Sequence, residues 1–474
     1  MKFRSSNGLI IFQLDNMLQQ KILATLCFIV CAITLHAQAP EKGWKNLFDG
    51  KSFTGWKKLG GNAEYKIENG AIVGITVPSS PNTFLVTEEE YGDFIIEMDV
   101  KLEDSSINSG VQFKSQFDSA GRGGKGLVYG YQFELDPSFR KWTGGIYDEA
   151  RRGWLYPLTL NPKGQNAFKQ GVYNKIKIES IGNTIKTWVN GILTAYMVDT
   201  LSEEGFIALQ VHSVGKAEQV GKKMYWKNIR IKVANLKPAS IPKDMHVVNL
   251  IPNSLTKYEI KNGWQLLFDG STTKGWKGAY KDSFPEKGWE IKNGSINVLP
   301  FNGGESSNGG DIVTQEEYSA FDLTFEFRYA AGANSGVKYF VTLSENNKGS
   351  AIGLEYQILD DKLHPDAKLG RNGNRTLASL YDLMPSEKQE RFLKPVEQWN
   401  QGRVVVYPNN HVEHFLNGIK VLEYERGSSS FRDLVANSKY KVWPNFGESQ
   451  KGRILLQDHG SAVSFRSIRI KVLK

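Results

Sequence analysis

The most constraining feature of this sequence is that it carries the same pattern twice. The segment GWKNLFDGKSFTGWK at 43–57 returns as GWQLLFDGSTTKGWK at 263–277, and NIRIKV at 228–233 returns as SIRIKV at 467–472. Matching segments between these ends follow one another in the same order in both halves. The repeat is far longer than the roughly 20–50 residues of a solenoid unit. It therefore predicts two copies of one whole domain, each large enough to bury its own core.

Each copy has the pattern of a series of short strands. Apolar and polar residues alternate over runs such as FDLTFEFRY at 321–329, and Gly, Asn and Asp residues separate the runs. This pattern predicts an all-β fold of two tandem jelly-roll β-sandwiches. We place domain 1 at 40–233, a linker with three prolines at 234–262, and domain 2 at 263–474.

Two local signals add detail to this prediction. The Asn-Gly pairs at 190–191 and 417–418 predict tight hairpins, because Asn and Gly both tolerate a positive φ angle. We also expect a few turns of helix within 384–394, where the alternation of the strands is interrupted.

Residues 1–39 have the features of a secretory signal region. Met17 is the expected true start, Lys21 supplies the positive charge, residues 22–35 form an apolar run, and Ala37 suits cleavage. The apolar run is shorter than the ~20 residues of a transmembrane helix, so we expect no membrane span in the mature chain. The protein is therefore expected to be exported, either periplasmic or secreted. Both cysteines of the chain lie in this region, so we expect no disulfide in the mature protein.

The composition and the missing motifs exclude several function classes. The net charge of +9 is mild for 474 residues, and basic residues alternate with acids along the strands. We therefore expect no nucleic-acid partner, because such proteins have clustered basic surfaces. The sequence also lacks a His-x-x-x-His metal pair, a phosphate-binding glycine loop and a Gly-x-Ser-x-Gly motif. Aromatic residues make up 12% of the chain, which suits both sheet cores and sugar-stacking surfaces.

One strand of each copy carries polar residues on a single face, because residues two apart on a strand point to the same side. In domain 2, GLEYQILD places Glu355 and Gln357 together. In domain 1, GYQFELD places Gln132, Glu134 and Asp136 together. Aligning the copies exchanges the positions of acid and amide. Such a face favours a strand that lines a groove, and a solvated outer face is the alternative.

The Leu-Gln-x-His strands give a second polar face in each copy. Gln457 and His459 share a side in domain 2, and Gln210 and His212 share a side in domain 1. A single histidine is more often structural than functional, but its recurrence beside a glutamine favours a site. His414, on the strand that enters the second Asn-Gly hairpin, is a further candidate for substrate binding.

The remaining candidates lie after the NSG motif and in the long loops. Lys338 follows NSG in domain 2, where domain 1 has Gln112. Long loops of a sandwich often carry recognition, although their aromatic residues can equally cap the core. The loop residues that we single out for substrate binding are Tyr147, Arg371, Arg375 and Tyr381, with Trp142, Trp154 and Tyr156 as further stacking candidates.

The ordered set of motifs resembles a known family. The series GW..LFDG....GW, NSG, an acid and an amide two residues apart, NG, LQ.H and IRIKV is similar to the DUF1080 family of 3-keto-disaccharide hydrolases. The resemblance covers both halves and is stronger in domain 2. It implies a concanavalin A-like lectin/glucanase fold, export from a bacterium, and a saccharide or an oxidised (3-keto) glycoside as the partner.

The substrate that this resemblance implies suggests a mechanism. A ketone at C3 acidifies the proton on C2, so a base can remove it, the enolate can expel the C1 substituent, and water can add later. His459 is our first candidate for the base, and Glu355 is the rival. Lys338 or Arg371 would stabilise the enolate. No cofactor is certain, and a divalent cation held by Glu355, His459 and Asp360 is an alternative stabiliser.

Three other functions stay open at this point, one of which has both copies contacting protein partners in an export or uptake complex. A conventional glycoside hydrolase uses two carboxylates, whereas the polar strand of domain 2 offers one acid and one amide. Domain 1 has Glu134 and Asp136 together but lacks further flanking acids. A pair of non-catalytic glycan-binding modules would need no base, and the aromatic loops fit that function equally well.

Overall fold

The computed structural model describes residues 42–124, 126–302, 304–344 and 351–474. The predicted signal region lies outside these residues. Residues Asn46–Lys474 form one compact unit, which contains almost all of both repeats. Within the described ranges, no helix is both long enough and apolar enough to cross a membrane.

The first repeat folds into short strands that form two antiparallel sheets. The strands are β1 (Trp44–Asn46), β2 (Trp56–Gly60), β3 (Glu64–Glu68), β4 (Ala71–Ile75), β5 (Thr83–Tyr91), β6 (Phe94–Leu102), β7 (Ser109–Asp118), β8 (Leu127–Leu135), β9 (Ile146–Glu149), β10 (Gly153–Tyr156), β11 (Asn174–Ile181), β12 (Thr184–Val189), β13 (Ile192–Val198), β14 (Gly205–Val211) and β15 (Lys223–Lys232). We call the sheet β10-β9-β8-β7-β14-β5-β2 the site sheet of domain 1, because it holds the candidate residues. Its backing sheet has the order β13-β12-β11-β6-β15-β4-β3.

The second repeat has the same arrangement. After β16 (Val248–Asn249), its strands are β17 (Trp264–Leu266), β18 (Trp276–Gly278), β19 (Trp289–Lys292), β20 (Ser295–Val298), β21 (Ile312–Thr314), β22 (Phe321–Tyr329), β23 (Asn334–Val341), β24 (Leu354–Leu359), β25 (Asn400–Val406), β26 (His411–Leu416), β27 (Ile419–Glu425), β28 (Arg453–Leu456) and β29 (Val463–Val472). The site sheet of domain 2 has the order β18-β21-β28-β23-β24. The backing sheet has the order β19-β20-β29-β22-β25-β26-β27, and β17 also pairs with β29.

The hydrophobic core of each sandwich lies between its two sheets. In β8, Tyr131, Phe133 and Leu135 are buried in the core of domain 1, and alternation along the strand turns Gln132 and Glu134 to the other face of the site sheet. Each large apolar side chain that is fully buried contributes ~1.5–3 kcal/mol to folding. The predicted all-β fold of two tandem jelly-roll sandwiches is confirmed.

The two predicted Asn-Gly hairpins are also present. Asn190 and Gly191 join β12 to β13 with φ angles of 49° and 82°. Asn417 and Gly418 join β26 to β27 with φ angles of 51° and 80°. Two successive positive φ angles define the hairpin turn whose twist matches the flanking strands.

Both site sheets contain a bulge at the same point of the repeat. The register between β7 and β8 shifts after Phe113, and Lys114 has a φ of 46°. The register between β23 and β28 shifts after Lys338, and Phe340 has a φ of 53°. Since a bulge bends its strand and re-aims nearby side chains, this shared irregularity shapes the sheet beside the candidate residues.

The predicted linker at 234–262 is more ordered than its composition suggested. Its strand β16 pairs in parallel with β13 of domain 1. Its buried Glu259 forms an ion pair of 3.0 Å with Arg469 of β29. Arg469 also donates to the backbone carbonyl of Asn249 at 2.7 Å. The segment therefore contacts both sandwiches. Its strand β16 has only two residues, which are too few to show a strand periodicity in the sequence.

Helices are short and few. The helical segments in the described residues are α1 (Gly121–Gly124), a single turn in which Arg122 and Gly123 have positive φ angles, α2 (Lys257–Lys261) and α3 (Ser429–Ala436). The 3₁₀ turns are Leu158–Leu160, Gly164–Asn166, Ala217–Gln219, Pro365–Lys368, Glu390–Phe392 and Lys439–Val442. The expectation of helical turns within 384–394 is wrong apart from one 3₁₀ turn. Pro385 and Pro395 bound this segment, and proline disfavours helix at the preceding residue. Glu387 instead donates its backbone N–H to a carbonyl of β27 at 2.7 Å.

Candidate active site

The candidate active site of domain 2 is built on three neighbouring strands of its site sheet. Lys338 of β23 lies opposite Glu355 of β24, and Gly336 lies opposite Gln357. On the other side of β23, the backbone N–H of Gln457 donates to the carbonyl of Gly336 at 3.0 Å. Strand alternation therefore brings these predicted residues onto one face of one sheet.

Gly336 leaves the centre of this face open for the carboxylate of Glu355. A Cβ atom at Gly336 would overlap Glu355 Oε1 and would lie 2.9 Å from the carboxyl carbon. The carboxylate thus leans across the neighbouring strand toward the middle of the site. The glycine of the NSG motif is required here by space, since its φ angle is not in the left-handed region.

Lys338 is a buried cation surrounded by acids. Its Nζ atom donates to the carbonyl of Ala351 at 3.1 Å, and it lies 3.6 Å from Glu305 Oε1 and 3.9 Å from Asp311 Oδ2. Burial alone would lower the pKa of Lys338, but the carboxylates of Asp311, Glu355 and Glu305 raise it above its ordinary value. The lysine is therefore charged at neutral pH.

The acids around Lys338 do not all ionise easily. Burial raises the pKa of Glu355 to about 7, against the lowering effects of Lys338 and Lys439. Burial likewise raises the pKa of Asp311 to about 6, against the effect of Lys338. One lysine faces three carboxyl groups, so a proton shared within this cluster is available near neutral pH.

Amide side chains complete the polar face. Gln457 donates to Glu305 Oε1 at 2.9 Å. Its own Oε1 is buried and accepts no hydrogen bond from any described residue. With its nitrogen turned toward the acceptors, Gln357 donates to Glu355 Oε1 at 3.1 Å and to the Ser335 carbonyl at 3.0 Å. The site therefore offers both hydrogen-bond donors and an unused acceptor to a polar ligand.

His459 lies at the end of this face and is partly exposed. Its Nε2 atom is 3.3 Å from Asn334 Nδ2, and its ring lies 6.3 Å from that of His364 in an edge-on arrangement. His364 accepts a hydrogen bond from the backbone N–H of Asp366 through Nδ1, at 3.2 Å. Burial lowers the pKa of His364, and the neighbouring His459 lowers it further.

The predicted loop residues of domain 2 take different positions. The backbone N–H of Tyr381 donates to the Glu355 carbonyl at 3.1 Å, and the Tyr381 hydroxyl donates to Asp366 at 2.8 Å. Arg375 pairs with Asp382 at 2.7 Å and with Asp366 at 2.9 Å, so it holds the loop together. Arg371 is exposed at the surface. Tyr381 is thus the loop residue that borders the site.

His414 is not at the groove, which corrects our expectation. Its ring is fully buried in the core, where Nε2 lies 2.8 Å from the Tyr339 hydroxyl and Nδ1 lies 3.3 Å from the Ala378 carbonyl. Burial lowers the pKa of His414 to about 3. A strand pattern cannot distinguish the two faces when both carry buried residues.

The predicted cation ligands do not converge. The Asp360 carboxylate caps its own loop, since it accepts backbone hydrogen bonds from Gly332, Lys362 and Leu363 at 2.8–3.3 Å. Within the part of the chain that the structure describes, the acidic and histidine side chains close enough to share an ion are instead those of His411, Glu413 and Glu423. Lys420 already lies 3.1 Å from Glu413 and 2.7 Å from Glu423. The proposed set of Glu355, His459 and Asp360 therefore does not fit a cation site.

Domain 1 repeats the geometry with different chemistry. Gln132 leans over Gly110, whose added Cβ would lie 2.7 Å from Gln132 Nε2. Gln112 occupies the position that Lys338 has in domain 2. Phe84 stands where domain 2 has Asp311. The buried cation and the central carboxylate are thus both replaced by neutral side chains.

The acids of domain 1 lie beside this centre. Asn108 and Gln132 donate to Glu134 at 2.5 and 3.1 Å. Burial raises the pKa of Glu134 to about 7. Asp136 pairs with Arg140 at 2.7 Å and so belongs to the loop.

Three further predicted residues of domain 1 surround the same face. Gln210 is fully buried, and its amide has no hydrogen-bond partner among the described residues. Tyr147 lies opposite Gln132 in the sheet. His212 is partly exposed and contacts the Ser213 carbonyl through Nδ1 at 2.7 Å. An unsatisfied buried amide such as that of Gln210 is costly unless a ligand or water bonds to it.

Fold and site together define a tandem β-sandwich protein with a buried acid–lysine cluster on one sheet of its second domain. The model of the family described as the 3-keto-alpha-glucoside-1,2-lyase-like domain matches residues 43–232 and again residues 263–471. The chain belongs to this family and contains the domain twice.

The individual proteins to which the chain is similar include one curated relative and two solved structures. A 3-keto-disaccharide hydrolase from Bacteroides thetaiotaomicron is 38% identical over 233 residues, which cover 45% of this chain and 79% of the relative. Two crystal structures of Parabacteroides distasonis proteins assigned as glycosyl hydrolases are also similar. One is 30% identical and covers 47% of this chain and 100% of its own, with a TM-score of 0.41; the other is 24% identical and covers 42% and 99%, with a TM-score of 0.32. The predictions of this family and of an enzyme that acts on glycosides are confirmed.

The sequence reasoning missed several residues around this acid–lysine cluster. Asp311 occupies the position that the buried Phe84 has in domain 1. This difference between the two copies was the sequence signal that could have identified Asp311. Asn334 belongs to the NSG motif, which both copies share. Glu305 and His364 lie in loops whose sequences differ between the two domains, so only the folded chain could bring them to the site.

Proposed function

We propose that domain 2 cleaves glycosides that carry a ketone at C3, by removing the C2 proton and then eliminating the C1 substituent. The observation that carries the proposal is the buried Glu355, whose pKa is raised to about 7, beside the charged Lys338. A base with a pKa near the working pH and a fixed cation are the two groups that such a reaction requires.

Glu355 replaces His459 as our first candidate for the base. Its carboxylate leans over Gly336 at the centre of the polar face, whereas His459 lies at the end of that face beside Asn334. In the first step, Glu355 accepts the proton from C2, and the electrons of the broken C–H bond form the enolate. After elimination, Glu355 would return this proton to C2.

Lys338 and the amides are suited to stabilise the enolate. The negative charge develops on the C3 oxygen, and a buried ammonium group stabilises it more strongly than it would in water. Gln457 offers an unused buried acceptor for a sugar hydroxyl. These groups would hold the sugar ring with its C2 hydrogen toward Glu355.

His459 is suited to the second half of the reaction. As the C1–O bond breaks, the leaving oxygen needs a proton, and histidine is the usual donor near neutral pH. Water then adds across the resulting C1=C2 double bond: its hydroxyl group bonds to C1, its remaining proton goes to His459, and Glu355 gives its proton to C2, which completes a net hydrolysis. No step in this scheme is assigned to a metal ion. A requirement for a divalent cation is a separate proposal, which is tested by measuring turnover with the cation added and with a chelator.

Domain 1 lacks the groups for this chemistry. It has Gln132 and Gln112 where domain 2 has Glu355 and Lys338. Its buried amides and the raised pKa of Glu134 suit the binding of a neutral saccharide without turnover. We therefore propose a glycan-binding role for domain 1, and export of the whole protein to the periplasm or beyond on the basis of its signal-like first 39 residues.

The test uses a 3-keto glucoside with a chromogenic leaving group beside its unoxidised parent. We expect the purified chain to cleave the keto compound alone and to show a primary isotope effect when C2 carries deuterium. Glu355→Gln introduces the residue type that domain 1 has at this position and should abolish turnover. The matched control, Glu134→Gln in domain 1, should leave turnover unchanged.

Other outcomes point to the alternatives. Equal cleavage of both substrates without an isotope effect would indicate a conventional two-carboxylate glycoside hydrolase. Binding of the keto glucoside without cleavage would indicate a glycan-binding protein. Loss of turnover in the Glu134 variant but not in the Glu355 variant would move the active site to domain 1.

A further inference from the structure

A cleft of about 450 Å³ lies between the two sandwiches, away from the Glu355 site of domain 2 and beside the polar face of domain 1, with which it shares Tyr147. One wall comes from β9, β10 and the turn between them in domain 1. The other comes from the segment 391–398 and the β26–β27 hairpin of domain 2. The side chains that the following argument uses are those of Arg151, Arg152, Trp154, Arg391 and Lys394.

The two walls are held together by direct contacts. The Phe392 ring of domain 2 packs on Trp142 of domain 1, with ring centres 5.5 Å apart. Thr159 donates its hydroxyl hydrogen to the carbonyl of Gly418 at 2.7 Å. A fixed cleft loses little entropy on binding a ligand, because its shape exists beforehand.

The two arginines on the domain 1 wall are already neutralised. Arg151 pairs with Asp148 at 2.7 Å. Arg152 pairs with both Asp148 and Asp199 at 2.6 Å. Two cations therefore face two carboxylates, and this wall has little charge left for a ligand.

The cations on the domain 2 wall form no ion pair with a described residue. Among the described residues, no acid lies within ion-pair distance of Arg391 or Lys394. Lys394 donates to the backbone carbonyl of Arg152, and Arg391 donates to Gln389 Oε1 at 2.9 Å. Burial lowers the pKa of both groups, and the nearby guanidinium of Arg152 lowers that of Lys394 further, as Arg140 does for Arg391; the carboxylates of Asp148 and Asp136 oppose this effect only in part. Positive charge is thus concentrated where an anion would relieve it.

An aromatic surface lies beside these cations. Trp154 is partly exposed and makes edge-on contacts with Trp142 at 4.7 Å and Tyr147 at 5.4 Å. Sugar rings pack well on such indoles. A neighbouring cavity of about 390 Å³ continues the cleft along the domain boundary, and its lining adds Trp399.

We propose that this interdomain cleft binds an acidic oligosaccharide. A carboxylate or sulfate group of the ligand pairs with Arg391 and Lys394, and a neighbouring sugar ring packs on Trp154. Planar guanidinium and ammonium donors recognise both anions. The choice of a saccharide rests on the proposed function, whereas the requirement for an anion follows from the charges of the cleft alone. Such a site would retain an acidic glycan chain independently of turnover in domain 2.

The experiment is titration calorimetry on the whole purified chain. The probes are tetragalacturonate, its carboxyl-reduced neutral counterpart, and a sulfated tetrasaccharide. Arg391→Gln and Lys394→Met remove one charge each from the cleft. Arg432→Gln, on α3, removes the same charge from a side chain that is 62% exposed and serves as the matched control.

We expect the acidic probe to bind at least tenfold more tightly than the neutral one. Its affinity should fall at least tenfold in both cleft variants, stay unchanged in Arg432→Gln, and weaken as salt rises, because salt screens charges. Arg391 is exposed, so its variant tests the idea even if the Lys394 variant unfolds. Binding of the sulfated probe alone would assign the anion as sulfate.

Three results would overturn the proposal: equal binding of the neutral and acidic probes, equal effects of Arg391→Gln and Arg432→Gln, or no binding of either anion at millimolar concentration. Turnover of the 3-keto glucoside is measured in the same samples. Acid binding without turnover would reject the proposed function alone. Turnover without acid binding would reject this inference alone.

Discussion

Replacing Gly336 with alanine tests whether the position of the Glu355 carboxylate controls catalysis. The new Cβ would lie 2.9 Å from the Glu355 carboxyl carbon, whereas nonbonded carbon atoms prefer at least ~3.5 Å. The carboxylate must therefore retreat by roughly 0.6 Å or more. Since a misplacement of ~1 Å can cost ~100-fold in rate, we expect kcat/KM to fall by about 30–100-fold. Overpacking should also lower the free energy of unfolding by ~1–3 kcal/mol.

Gly110→Ala in domain 1 is the matched control. Its Cβ would lie 2.3 Å from Gln132 Cδ, so it crowds a neutral amide at least as strongly. We expect a loss of stability at least as large in urea titrations but unchanged turnover of the chromogenic 3-keto glucoside. The reasoning is refuted if Gly336→Ala keeps full activity, or if the two variants lose activity equally.

The other predictions concern pH and packing. The kcat/KM of the wild type should rise with pH through about 7, as Glu355 loses its proton, and a flat profile between pH 5 and 8 would contradict this role. Burial raises the pKa of Glu134 from 4.5 to about 7, so the folded state holds this proton more tightly and stability falls as pH rises between these values. Glu134→Gln should therefore be more stable relative to wild type at pH 8 than at pH 4, by up to ~3 kcal/mol in urea titrations. His414→Ala should cost ~2–5 kcal/mol of unfolding free energy by removing a buried ring and its bond to Tyr339, with KM unchanged.

Several elements of the fold followed from local sequence. The repeated GW..LFDG and IRIKV segments predicted two whole domains, and alternating residues predicted the strands of both. The Asn-Gly pairs predicted hairpins because few other residues tolerate two successive positive φ angles. The helix expected in 384–394 failed because backbone pairing with β27 outweighed local propensity. The strand β16 went unseen because two residues show no periodicity.

The candidate site was only half predictable. Alternation on β24 brought Glu355 and Gln357 to one face, and the NSG motif brought Gly336 and Lys338 to the same face from β23. His414 also lies on a strand beside polar residues, yet its face turns into the core. A single strand does not indicate which of its sides meets the partner sheet when both sides become buried.

The sequence by itself determined the duplication, the all-β class and the residue types available for chemistry, because these depend on repeated segments, on a period of two and on the identity of each residue. The tertiary structure decided how those residues act. Glu305 and Asp311 meet Lys338 only when distant loops and strands come together, and burial then raises the pKa of Glu355. Desolvation and charge pairing depend on distances across the folded chain, and the order of residues does not contain those distances.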